Sequence, residues 1–400
     1  MKTIALAFRY LWARPLAAVL NVLLLSLGLA SASFVLLMAE QIDQAFERDL
    51  AGIDLVVGAK GSPMQLILSG VFHIDVPAGN VRLADVQALA KNPAVAQLIP
   101  LSLGDSHQGF RIVGTTPDYL RHYEVRFAQG QDWTQPLQAV VGAQVAQSTG
   151  LAVGAQFVGS HGLGGGGHMH GDKPYRVVGV MQPCACVLDR LILTSLESVW
   201  QVHEKDLAVD ADDLEALQAE REVTVALIRY KSPLAAVSFP RYVNSSTDMQ
   251  AAAPAIEITR LLRMVGVGAD VLRGFAGVLL LMAGLSVFIA LWNAVKERQA
   301  DLAMLRMLGA PPRRVAALVL AEALWLAALA GALGLLLGHG LAAFVSQVLA
   351  AQKSLPLSAW HWVQGEGVVV LVGLGVAVLA ALLPVWHAYR VDVAQLLNRS

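Results

Sequence analysis

Four long apolar runs and one long mixed stretch set the pattern of this chain. The first run, Leu16 to Met38, is 23 residues without a charged side chain, where a membrane span needs about 20. The second covers about 274–295. The third starts near Val315 and reaches about Leu337, with a helical extension toward Leu349, and the fourth covers about 367–386. Each predicts a membrane-crossing helix. Ala30-Ser31-Ala32 looks like the small-residue site at which a secretory signal is cleaved. The apolar run continues past it through Phe34–Met38, too long for a typical signal core, which favours an uncleaved anchor.

The stretch from Glu40 to Asp270 is different material. Short β-like runs punctuated by Gly, Pro and Asp begin at Asp54, Phe110, Ala139, Gln156, Tyr175 and Val223. Residues 83–91 and 118–122 suit helices, and 210–222 is an acidic, solvated helix or linker. Residues 255–273 read as a stalk helix carrying Arg260, Arg263 and Arg273. The fold expected is a membrane protein of four transmembrane helices with a large α+β periplasmic domain between helices 1 and 2. The divisions expected are 1–38 for a pre-helix and first span, 39–254 for the α+β domain, 255–273 for the stalk, and 274–400 for the remaining spans.

Composition agrees with a membrane protein. The chain is 56% hydrophobic and only 15% charged, against about 25% in soluble domains, with mean hydropathy +0.56. A net charge of −1 gives no case for nucleic-acid binding. The chain has no G-x-x-x-x-G-K-[ST] loop, so no recognisable nucleotide phosphate site of its own. Basic residues orient the spans: three precede the first run, five lie between Lys296 and Arg314, and the loop 350–366 has Lys353 alone. The positive-inside rule then puts both termini and the 296–314 connection in the cytoplasm, and the large domain outside. Trp360 and Trp362 become interfacial anchors.

The connection Asn293–Trp325 concentrates charge in a chain poor in it. Lys296, Glu297, Arg298, Asp301 and Arg306 share it with Leu302, Leu305 and Leu308, which give a helix-like apolar face. Gly309 sits where a helix stops, and Pro311-Pro312 where the next begins. Glu297-Arg298, Asp301-Leu302, Leu308-Gly309-Ala310 and Glu322-Ala323 fill the slots of a pattern like E-R-x-x-E-I-G-x-x-x-A-L-G-A followed by a basic helix and an E-A pair. With Ala7–Pro15, Pro384–Leu397, Val140–Ala143, Gly150–Gly154 and Val177–Val180, the chain resembles the MacB/FtsX/LolC family of ABC transporter permeases, the type VII class. Asp301 for the usual Glu and Ala303 for the usual Gly are its departures.

The resemblance implies a non-catalytic subunit of the bacterial inner membrane that works beside a separate cytoplasmic ABC ATPase, the ATP being bound by that partner. It implies a second permease copy or a paralogue, and leaves room for a periplasmic or lipoprotein partner and for membrane lipid. Residues 296–309 would be the coupling helix, with Glu297, Arg298, Asp301, Leu302, Leu305, Arg306, Leu308 and Gly309 as its contacts. The expected work is export or extraction of a periplasmic, lipid-linked, peptide or metal-related substrate. The alternative is a non-transporting scaffold that activates a periplasmic enzyme or receptor. A membrane-anchored metalloenzyme is the weakest reading, since no H-E-x-x-H occurs.

Candidate chemistry clusters in two places. His161, His168 and His170 lie on a Gly-rich loop and Cys184-Ala185-Cys186 follows. Imidazole and thiolate suit zinc or copper, so these five are candidate ligands; a polar loop with two buried cysteines is the plain alternative. In the third span Glu322 calls for a basic partner such as Arg313 or Arg314, or for snorkelling to the boundary. Gly334 and Gly338 form a GxxxG that allows close helix packing, and His339 reads as an interfacial histidine. Val57–Pro63 with His73–Asp75 reads as a structural turn, while His107 and His122 read as ordinary surface residues. No chain of polar residues crosses the spans, which favours a substrate held outside.

Overall fold

The computed structural model describes residues 2–162, 173–207, 220–351, 360 and 362–390. In chain order the elements are α1 (Lys2–Leu11), α2 (Pro15–Leu50), β1 (Leu55–Ala59), α3 (Pro63–Gly70), β2 (Val81–Arg82), α4 (Leu83–Ala90), β3 (Val95–His107), β4 (Phe110–Thr115), α5 (Pro117–His122), β5 (Phe127–Gly130), β6 (Gln138–Val141), α6 (Ala143–Thr149), β7 (Gln156–Phe157), β8 (Ser160–His161), β9 (Tyr175–Met181), β10 (Leu191–Ser195) and α7 (Leu196–Leu207). They continue with β11 (Glu222–Val223), β12 (Val225–Tyr230), α8 (Ala235–Ser246), β13 (Met249–Ala252), α9 (Pro254–Glu297), α10 (Gln299–Met307), α11 (Pro312–Ala351) and α12 (Glu366–Tyr389). The chain divides into two compact units. A helical unit takes the chain to Ile42 and resumes at Met264; a sheet unit takes Asp43–Arg263.

In the helical unit, α2, α9, α11 and α12 are each long and apolar enough to cross a membrane. The stalk expected at 255–273 and the span expected from 274 are one continuous helix, α9. Small residues let the helices approach. A Cβ on Gly334 would stand 2.9 Å from Leu29 Cβ, and one on Gly338 would stand 3.1 Å from Ser33 Oγ, so α11 meets α2 along the GxxxG face. In lipid, where apolar side chains gain little by leaving the solvent, such close backbone packing is a main source of association. Val287, Leu291, Leu302, Val315, Leu318 and Leu326 form one buried apolar cluster of this unit.

The sheet unit is built on an eleven-stranded mixed sheet whose main path is β13-β1-β12-β3-β4-β10-β6-β9-β5. β7 pairs with β9, and β8 with β3. The pairs β10–β4 and β6–β9 are parallel, and the other pairs in this sheet are antiparallel. One large cluster holds Val56, Ile67, Phe72, Leu101, Tyr119 and Leu188; another holds Leu55, Val57, Val86, Ala226, Ile228 and Phe239. Alternate residues of β1 therefore serve two cores, as the two-residue period of a strand requires. The last turns of α2 and the first turns of α9 belong to this unit: Phe46 meets Phe72 edge-on at 4.8 Å, and Ile258 is buried in the first cluster.

All six expected strand runs fall on strands, although the run from Val223 is split into β11 and β12. The longest strand, β3, was not expected. Pro100 and Gly104 interrupt its alternation, yet Pro100 is accommodated opposite Ala226 and Gly104 falls in a bulge against β4. The expected acidic helix at 210–222 lies largely outside the described residues.

Candidate functional sites

The connection between the second and third long helices is a short helix held between two breaks. Arg298 ends the run of α9 with φ −98° and ψ 15°, and α10 follows. Gly309 adopts φ +91°, a conformation that costs a side-chain-bearing residue but not glycine, and Pro312 opens α11. The leucines do not share one environment. Leu302 is 3% exposed in the apolar cluster of the unit and Leu305 packs against that cluster, whereas Leu308 is 80% exposed. Met304 and Met307 are exposed with it. The helix thus uses one face for the bundle and leaves a second apolar face outward.

Arg298 fixes the inner side. Its Nη1 donates to Glu322 Oε1 at 3.1 Å, its Nη2 donates to the Tyr10 carbonyl at 2.9 Å, and its guanidinium lies 4.6 Å from the centre of the Tyr10 ring. Glu322 therefore pairs with Arg298 and not with Arg313 or Arg314. The reason is geometric: those two sit at the exposed start of α11, more than two turns from Glu322 on the same helix, while Arg298 reaches it from across the bundle. Arg14 and Glu297 form a second ion pair on this side. Arg298 and Glu322 are both largely buried, and a buried pair with additional hydrogen bonds depends on both partners being present. Asp301 is exposed and Arg306 half-buried.

A second polar cluster lies at the other end of the bundle. Glu366, the first residue of α12, is fully buried. Its Oε1 lies 2.9 Å from His339 Nε2 and accepts from Ser33 Oγ at 3.1 Å, and its Oε2 accepts from the Val363 amide at 3.4 Å. His339 stacks on Trp360 with 9° between the rings. Sequence reasoning placed Glu366 at the edge of a loop. The signal was the carboxylate one residue before an uninterrupted apolar run, where a helix N-terminus favours a negative charge.

In the sheet unit Cys184 and Cys186 are joined to each other as a disulfide, so they offer no thiolate to a metal and leave the expected ligand set. The small loop they close is held by Asp189, whose carboxylate accepts from the Cys184 amide at 3.0 Å and the Ala185 amide at 2.8 Å. His168 and His170 lie outside the described residues. His161 comes together with two residues that the sequence did not single out, Asp105 and His203. His161 Nδ1 is 3.2 Å from Asp105 Oδ1, and His203 Nε2 is 3.4 Å from Asp105 Oδ2. The two imidazoles stack with centroids 5.1 Å apart. Asp105 stands on β3 directly opposite His161 on β8, and α7 brings His203. Residues 56 and 98 positions apart along the chain carry no local spacing signal, so only strand pairing could reveal them.

A buried polar knot lies under the first core. Arg190 contacts Asp49 at 3.8 Å and donates to the Phe72 carbonyl at 3.2 Å; Arg111 donates to the Asp75 carbonyl at 2.7 Å. His73 takes φ 55° and sets its Nε2 3.2 Å from Tyr119 Oη. Burial, reinforced by Arg111 and Arg190, holds the His73 imidazole well below its usual range, so it stays neutral. Burial lowers Arg111 to about 10. In the turn before α3, Ser62 caps the helix by accepting from the Gln65 amide. His107 and His122 are half-buried rather than surface residues: His107 Nδ1 lies 2.8 Å from the Val158 carbonyl, and burial lowers His122.

Family comparison follows this division. Residues 18–232 match the MacB-like periplasmic core domain, and residues 273–393 match the FtsX-like permease C-terminal domain. The chain belongs to the MacB/FtsX-like, type VII family of ABC transporter permeases, multi-pass membrane proteins with a periplasmic core domain. Among solved structures it is similar to the periplasmic region of MacB from Actinobacillus actinomycetemcomitans, at 12% identity and TM-score 0.35, covering 54% of this chain and 95% of that one. It is also similar to the extracellular domain of the noncanonic ABC-type transporter YknZ from Gram-positive bacteria, at 12% identity and TM-score 0.31, covering 50% and 98%. No curated protein matches the chain.

Proposed function

We propose that this chain is the membrane subunit through which a separate cytoplasmic ABC ATPase drives movement of the periplasmic domain, with α10 as the coupling helix. The observation that carries the reading is the two-sidedness of α10. Leu302 and Arg298 tie it into the bundle, while Met304, Met307 and Leu308 stay exposed on a segment rich in basic residues. Burying one such side chain against a partner is worth about 1.5–3 kcal/mol, so three adjacent ones suffice to seat a short helix in a cleft. Both termini and α10 face the cytoplasm in this reading, as the excess of basic residues directs. The permease works as a pair, with a second copy or a paralogue, and its substrate is engaged at the periplasmic domain.

The test is assembly with a cognate ABC ATPase of the same organism. Co-expression is expected to yield a stable complex in detergent. Leu308→Asp, which puts a charge on the outward face without touching the bundle, is expected to lower recovery of the ATPase at least tenfold while the permease alone melts as before. Full recovery of the ATPase with the Leu308→Asp and Met304→Asp chains would remove α10 from the interface.

A further inference from the structure

We infer that Asp105, His161 and His203 form a binding site for a zinc-class divalent cation on the periplasmic domain. This ligand set differs from the His/Cys loop expected from sequence, and it shares only His161 with that set. One donor atom from each residue lies within 4.8 Å of the other two. The carboxylate meets the imidazoles at 3.2 and 3.4 Å. Charge-assisted hydrogen bonds run shorter, about 2.7–2.9 Å. Two ligands about 2.0–2.1 Å from a tetrahedral zinc are separated by about 3.3 Å; each imidazole nitrogen meets its own oxygen of the carboxylate near that spacing, and the three donors, within 4.8 Å of one another, would draw in around an ion. Two imidazoles and one carboxylate suit zinc; calcium and magnesium prefer all-oxygen sets.

The site is built before any ion arrives. Asp105 is 4% exposed, on the long strand β3. Between the pairs Leu103–Val113 and Ser106–Arg111, β3 carries two residues where β4 carries one, and Asp105 is one of them. Such a bulge re-aims side chains and recurs beside functional sites. β8 is clamped onto this place: the Gly162 amide donates to the Gly104 carbonyl at 2.9 Å and Ser160 Oγ donates to the Ser106 carbonyl at 3.3 Å. Burial, with the Asp105 charge nearby, pushes the phenol of Tyr175 up, so it stays neutral beside the site. His161 is exposed and His203 partly so, which leaves an entry path from solvent. Among the described residues three side chains supply donors, and a tetrahedral zinc takes four. A bound ion would tie α7 to the β3–β8 corner.

The decisive experiment uses the full-length chain, purified in detergent and stripped with chelator. Zinc is titrated against a chromophoric competitor, and cobalt(II) is added to a second sample as a spectroscopic probe. The inference expects one zinc per chain, cobalt bands of tetrahedral intensity, and no competition from calcium or magnesium. Asp105→Asn and His203→Ala are each expected to weaken zinc at least tenfold and to abolish the cobalt bands, with the thermal melt of the apo chain unchanged for the near-isosteric Asp105→Asn. Absence of stoichiometric zinc and of cobalt bands in the unaltered chain would overturn the site. So would binding that survives both variants and disappears in a His168→Ala/His170→Ala chain.

Discussion

Two residues carry consequences that can be measured singly. His73 is buried and held neutral, with its pKa below the unfolded value of 6.5. Above that value both folded and unfolded chains hold it neutral. As pH falls below 6.5 the unfolded chain takes up a proton that the folded chain refuses, so stability is lost on the acid side. Between about pH 7.5 and about pH 5.5 the His73→Gln chain is expected to lose less melting temperature than the unaltered chain; His122 acts in the same direction, and Asp49, pushed up to about 6 by burial, acts in the opposite one. An unchanged slope would show that the imidazole is protonated in the fold. Arg298 is the second. Removing it strands the Glu322 carboxylate among apolar neighbours, a change that costs about 3 kcal/mol. Arg298→Ala should lower the melting temperature markedly, and Arg298→Ala/Glu322→Gln should recover part of the loss. Equal melts for the single and double variants would contradict the pairing.

At the scale of elements, the chain is legible where one face of an element decides its pattern. The four long helices follow from apolar length alone, and the end of α10 follows from Gly309 and Pro312; its start, expected at Lys296, falls at Gln299 because α9 runs on through Glu297. Legibility fails where tertiary pairing overrides local chemistry. β3 absorbs Pro100 and Gly104 because β12 and β4 hold it on both sides, and no window of the sequence contains those partners. The face of α10 is a subtler case. Period alone put Leu302, Leu305 and Leu308 together, but the helix ends at Met307 and Leu308 turns away with Met304 and Met307. The Cys pair suggests thiolate ligands in the sequence because a bridge between cysteines two apart is strained. The fold closes the bridge and anchors its loop on Asp189. The site at Asp105, His161 and His203 was only one-third visible, since two of its members are brought in by a bulged strand and a helix remote in sequence.

At the scale of the molecule, two long helices are shared between the helical unit and the sheet unit. The helical unit contains the connection α10 and the tails of the long helices, and the sheet unit contains Phe46 of α2 and Ile258 of α9 in its core. In the proposed reading, a push on α10 would pass to α9, which ends at Glu297 just before the break at Arg298 and whose first turns lie in the sheet unit. Family membership supplies the class of machine, and the proposed function makes α10 the place at which it is driven. The most direct test is a proximity measurement on the assembled complex. A chain carrying Leu308→Cys, co-expressed with its cognate ABC ATPase, should form a cross-link to that ATPase with a short thiol-to-amine reagent. The same reagent should give none from Val237→Cys, which is exposed on the other unit. A cross-link from position 237, or none from position 308 in a complex that is otherwise intact, would contradict the account.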